Sequence, residues 1–137
     1  MFSKIMVPVD LVHRDTIAKA VDVACNMAHE YNAEIYFVSV SGELPSEIAS
    51  SAGEYGQILE EFTAHKAKQY SITAHAVNLK SPDPSAEVNS RLLKATEEIG
   101  ADLVIMASHE PGIMDHIFSS HGGHMASYAK VSVFVVR

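Results

Sequence analysis

Two kinds of hydrophobic run alternate along this chain. Short apolar stretches occur at residues 5–9 (Ile-Met-Val-Pro-Val), 34–40 (Glu-Ile-Tyr-Phe-Val-Ser-Val), 102–106 and 131–136, with a weaker one at 72–77. Each is strand-sized, and near-continuous apolarity marks a strand covered on both faces. Between these runs the apolar positions change to helical spacing. Ile17, Ala20, Val21, Ala24, Met27, Ala28 and Tyr31 form one face. Tyr55, Ile58, Leu59, Phe62 and Lys66 mark a second helix ending near Tyr70. Val88, Leu92, Ala95 and Ile99 mark a third, and a short fourth helix is expected from about Ser120 to Tyr128. Five strands alternating with four helices predict an α/β fold, a three-layer sandwich around a parallel sheet. The chain shows no internal repeat and reads as one domain over residues 1–137.

Punctuation supports these elements. Pro8 cannot donate to a ladder, so the first strand is expected to stop pairing there, with Asp10 at its carboxyl end. Asp15 or Thr16 is the expected cap of the first helix, and Asn32 the left-handed residue that ends it. Residues 41–56 contain Gly, Ser and Pro and read as a long loop: a lid, a partner surface or a disordered segment. The shorter side chains of the third strand place it near a sheet edge. Asp83 before Pro84 is a strong helix start, and Gly100 is the expected residue past that helix.

Composition narrows the function classes. The net charge of −7 and the absence of a basic patch argue against a nucleic-acid surface. The apolar runs are far too short to span a membrane. The N-terminus lacks a secretory pattern, and a cytoplasmic location is expected. Cys25 falls within a helical pattern and reads as a buried apolar thiol.

Three chemical features compete with simpler explanations. Asp10 is placed to meet a ligand beyond the strand ends, yet a turn aspartate bonding its own backbone is the simpler reading. His109, His116, His121 and His124 cluster in one segment, and His121 and His124 would share a helical face. No third ligand has a defined spacing, so surface or loop histidines are preferred to a metal site. Ser119-Ser120-His121 opens the fourth predicted helix and offers either an anion site or plain capping. Walker, dinucleotide-fingerprint and nucleophile-elbow motifs are absent, and no residue is assigned a catalytic role.

Taken in order, Lys4-Ile-Met-Val-Pro-Val-Asp10, Ser81-Pro, Ala101-Asp-Leu-Val-Ile-Met-Ala-Ser-His109 and Val133-Phe-Val-Val-Arg137 resemble the universal stress protein family. The likeness is colinear over essentially the whole chain. Its Ala-Ser-His-x-Pro loop is most similar to the small enterobacterial-type branch called F and G. The resemblance implies strand order 3-2-1-4-5, a role in stress resistance, and a homodimer joined through the fifth strands at Val131, Val133 and Val135. An exposed apolar edge strand would itself favour such pairing.

The resemblance also implies an adenine-nucleotide site, with ATP or AMP as the candidate ligand. Pro8, Val9 and Asp10 match its residues after the first strand, and Val40 its adenine side. Met106, Ala107, Ser108 and His109 match the start of its phosphate loop, and Ser119, Ser120 and His121 the end. This chain departs from the family's phosphate signature, which reads Gly, two residues, Gly, nine residues, Gly, then Ser or Thr. Ala107, Glu110 and Ser119 stand at the glycine slots, the 107-to-119 step is one residue short, and only Ser120 keeps its type. A Cβ hinders close approach of backbone to phosphate. Glu110 adds repulsion, and residues 101–129 contain no Lys or Arg. The expectation is weak or absent ATP binding, with the adenosine half of the pocket (Asp10, Val40, Met106) retained. The alternative is a functional ATP binder that uses a bridging metal or the histidines, with slow ATP hydrolysis as one form of it.

Overall fold

The computed structural model describes residues 1–107 and 130–137. In chain order it contains β1 (Lys4–Pro8), a 3-10 turn (Leu11–His13), α1 (Arg14–Tyr31), β2 (Glu34–Ser41), α2 (Ala52–Tyr70), β3 (Ala74–Lys80), α3 (Pro84–Ile99), β4 (Leu103–Ala107) and β5 (Ser132–Val136). The strands form one sheet in the order β3-β2-β1-β4-β5, and every pairing is parallel. This is the expected strand order. Three α-helices lie among the described residues rather than the four expected for the whole chain. The predicted helix from about Ser120 to Tyr128 lies outside the described residues.

Strand alternation divides the core. Ile5 and Val7 of β1, Ile35 and Phe37 of β2, and Leu103 and Ile105 of β4 join α1 and α2 in one apolar cluster. Met6, Val38, Val104 and Met106 point the other way and pack with Leu92 and Ala95 of α3. The sheet is thus buried from both sides at its centre, which explains why its strands read as continuous apolar runs. β3 lies at an edge, and all its residues remain at least partly accessible.

Several ends follow their expected chemistry. Asn32 closes α1 at φ 51°, and Gly100 follows α3 at φ 72°. α3 begins at Pro84. Cys25 is buried, and burial pushes its thiol up to about 12, which keeps it protonated and inert.

Other boundaries differ for identifiable reasons. Neither Asp15 nor Thr16 opens the first helical segment; Asp10 caps the 3-10 turn that leads into α1. α2 starts at Ala52, so the loop shrinks to residues 42–51. Ser51 Oγ accepts from Glu54 N at 3.1 Å, and the Glu54 carboxylate accepts from Ser50 N at 3.1 Å. This capping exchange holds the first turn despite Gly53 and Gly56. Gly56 also admits Asn78, since a Cβ there would lie 3.3 Å from the Asn78 amide nitrogen. β3 runs two residues later and three further than expected, because its ladder with β2 continues to the Ser41–Lys80 pair. Pro8 is the last residue of β1 and still lies opposite Val38, whose carbonyl accepts from Val9 N at 2.9 Å.

Candidate functional site

A cavity of about 240 Å³ opens beyond the carboxyl ends of β1, β2 and β4. Parallel α/β sheets bind ligands at this end because the chain leaves the sheet there and frees backbone groups. The cavity floor comes from Pro8, Val9 and Asp10 after β1, Val38 and Val40 of β2, and Met106 and Ala107 of β4. Val88 and Leu92 of α3 form one wall. Thr16 and Ile17 of α1 with Tyr55 of α2 form the opposite wall. Gly42, Leu44, Ser46 and Ala49 of the 42–51 loop border it above.

The sequence-derived site residues divide cleanly. Pro8, Val9, Asp10, Val40, Met106 and Ala107 line this one cavity. Ser108, His109, Ser119, Ser120 and His121 lie outside the described residues, as do Glu110 and the other two histidines of the cluster, His116 and His124. Val133 packs in the α3-side cluster, and the neighbouring Phe134 is 44% exposed on the β5 edge. Among the described residues, no group of three or more metal-ligating side chains converges.

Asp10 does what the simpler reading anticipated and keeps capacity for more. Its Oδ1 accepts from Val12 N at 3.0 Å, an Asx turn onto its own backbone. Its Oδ2 lies 2.8 Å from His13 Nδ1. Each carboxylate oxygen has two lone pairs, so both can accept one further bond from a ligand hydroxyl or amine. Among the described residues lining the cavity, Asp10 alone is charged. The other described lining residues are aliphatic or bear hydroxyls, with the Tyr55 ring and the Met106 thioether among them. Such a lining suits a flat, mostly neutral group with a few hydrogen-bonding positions at its edge. Among the described residues it offers no cation for a polyphosphate.

The loop above the cavity is tethered at both ends. Ser41 Oγ donates to Asn78 Oδ1 at 2.8 Å, and Asn78 Nδ2 donates to Ala52 O at 3.0 Å. Within the loop, Ser46 N donates to Ala49 O at 2.8 Å, and Ala49 N donates back to Ser46 Oγ at 3.2 Å. Leu44 stands at the rim, 86% exposed.

Sequence reasoning did not place Tyr55 in the site. It is only 7% exposed, and its hydroxyl bonds Leu11 N and Ser39 Oγ, each at 3.1 Å. Burial raises its phenol above the ordinary tyrosine range, so the proton stays on. The available signal was the hydroxyl itself: a tyrosine on an apolar helix face needs a buried partner.

The model of the Universal stress protein family matches residues 1–137. The chain belongs to the universal stress protein family. It is 28% identical over 148 residues to Universal stress protein G of Shigella flexneri, covering 100% of both chains. A universal stress protein solved in complex with cAMP superimposes with a TM-score of 0.69 at 20% identity, over 99% of this chain and 97% of the other. The universal stress protein of Archaeoglobus fulgidus in complex with dAMP gives 0.70 at 14% identity, over 98% of each chain. At these identities the two structures speak for the shared fold. Among the described residues, no helix is long and apolar enough to cross a membrane.

Proposed function

We propose that this chain is a single-domain stress-response or regulatory module of the family, acting as a cytoplasmic homodimer with weak or lost ATP binding. Its cavity takes the nucleoside end of an adenine nucleotide. The carrying observation is the lining itself: apolar walls, hydroxyls and one carboxylate, without a cation among the described lining residues. The missing glycines at Ala107, Glu110 and Ser119 point the same way. Solved relatives carry cAMP or dAMP, both adenine monophosphates. In this reading the full chain forms a three-layer sandwich with a fourth helix, and Ser108, His109, Ser119, Ser120 and His121 border the phosphate end.

The rival reading is a functional, slowly hydrolysing ATP binder, favoured by Ser120, which keeps the hydroxyl type of the signature. A bridging magnesium ion would then stand in for the missing cations. Titration of the purified protein with adenosine, AMP and ATP, each with and without magnesium, separates the two. A large gain in ATP affinity on adding magnesium supports the rival and contradicts our reading.

The homodimer is proposed to form through β5, whose outer edge has no strand partner among the described residues. Phe134 is exposed there, and Val133 and Val135 are partly accessible. Val131 precedes the strand on the same route. A carboxylate at an edge-to-edge contact would face apolar neighbours without a partner, so Phe134→Asp or Val135→Asp should shift the protein toward monomer. Sedimentation velocity across a concentration series reads this. A wild-type monomer, or variants that stay dimeric, would count against the β5 geometry.

A further inference from the structure

Asp10 sits just past a strand end, where a backbone ordinarily has freedom to swing. Here a closed set of hydrogen bonds removes that freedom. Leu11 N–H donates to Tyr55 Oη at 3.1 Å. Tyr55 O–H donates to Ser39 Oγ at 3.1 Å. Ser39 O–H donates to Val9 O at 2.7 Å. The set therefore begins and ends on the two residues flanking Asp10.

Its direction follows from the two backbone groups. An amide N–H can only donate and a carbonyl can only accept. Each intervening hydroxyl therefore accepts once and donates once, and no proton is left over. Leu11, Tyr55 and Ser39 are 1%, 7% and 2% exposed, so water does not compete for these bonds. Low local polarity strengthens bonds that run in one direction and makes a broken one costly. The phenol keeps its proton because burial raises its pKa.

Placement adds a second role. Tyr55 lies in the first turn of α2, four residues beyond the Ser51 cap that ends the 42–51 loop. Its side chain also lines the cavity. One side chain thus ties the Asp10 segment, β2 and the root of the loop together.

We propose that Tyr55 is the positioning residue of this pocket: its hydroxyl fixes the Val9–Leu11 backbone so that the Asp10 carboxylate is held toward the bound nucleoside. This rests on the nucleoside reading of the cavity. Tyr55 acts through Asp10 and forms the wall against which the ligand packs.

The test uses Tyr55→Phe, which deletes one oxygen and keeps the ring. Adenosine affinity is measured by calorimetry for wild type, Tyr55→Phe, Asp10→Ala and the double variant. Tyr55→Phe should weaken adenosine about tenfold, the size expected when a buried donor loses its acceptor. The double variant should bind no more weakly than Asp10→Ala alone, because both changes disable one device. Additive losses, or a Tyr55→Phe affinity equal to wild type, overturn the proposal.

A second readout needs no ligand. The Asp10 carboxyl carbon signal and the Leu11 amide protection should both change in Tyr55→Phe. If both stay as in wild type, the proposal is overturned even where adenosine binds. Should wild type fail to bind adenosine, the nucleoside reading falls on its own account, and these signals still judge the clasp. Ser39→Ala opens the same set at a different bond and should change the Asp10 signal likewise. It replaces Tyr55→Phe if that variant does not fold.

Discussion

Phe37→Ala should destabilise the protein by about 3–5 kcal/mol, the usual range for truncating a buried phenylalanine. Phe37 has no solvent exposure and, among the described residues, heads the fully buried side chains by size. It lies in β2 between Val7 of β1 and Ala76 of β3, so neighbouring backbone cannot collapse into the space it leaves. Its ring meets Phe62 of α2 edge-on, with centroids 5.2 Å apart, and alanine loses that contact as well. Small domains have about 5–15 kcal/mol in total, so this single change removes a large share. Urea unfolding followed by circular dichroism should show a much lower midpoint with an unchanged slope. Leu44→Ala, at a position 86% exposed, should change stability by no more than about 0.5 kcal/mol. A loss below about 1 kcal/mol at Phe37 would contradict the assignment of this cluster as the main core.

Glu110→Gln should raise ATP affinity about tenfold while leaving adenosine affinity unchanged. Position 110 lies outside the described residues. By the family resemblance, Glu110 would fall at the middle glycine slot of the signature's phosphate loop. One carboxylate at about 4 Å from one phosphate charge repels it by about 1 kcal/mol in water and about 4 kcal/mol at intermediate effective dielectric. Glutamine keeps the size and removes the charge. The ratio of ATP to adenosine affinities cancels any general effect on the fold. Equal ATP affinity in wild type and variant would remove charge repulsion from the account. The two substituted glycines at 107 and 119 would then carry the whole explanation.

The features readable from the sequence are those with local causes. The strands around Ile5, Ile35 and Ile105 stand out because both faces of the sheet are covered there. Asn32 and Gly100 announce helix ends because few residues accept a left-handed backbone. Strand order came from the family resemblance, since parallel pairing of β1 with β4 joins residues about a hundred positions apart. The early start of α2 was obscured by Gly53 and Gly56, whose weak helix preference is overcome by the exchange among Ser50, Ser51 and Glu54.

The site was legible along one line only. Asp10, Val40 and Met106 all line the cavity; Asp10 could be placed from its position past a strand end, and Val40 and Met106 by the family resemblance. The wall from α1 and α2 could not, because the loop that brings Tyr55 to Leu11 carries no periodic signal. The contact spans 44 positions, and Ser39 disappears within an apolar strand pattern. Sequence periodicity reports which face a residue occupies. It is silent about which distant hydroxyl will satisfy it.

We propose that the nucleoside end of the pocket is retained while the phosphate grip is lost. Titration calorimetry of the unaltered protein with adenosine and with ATP, at equal ionic strength and with and without magnesium, tests it most directly. We predict that adenosine binds at least as tightly as ATP in both conditions. Submicromolar ATP binding, with adenosine weaker, would contradict it.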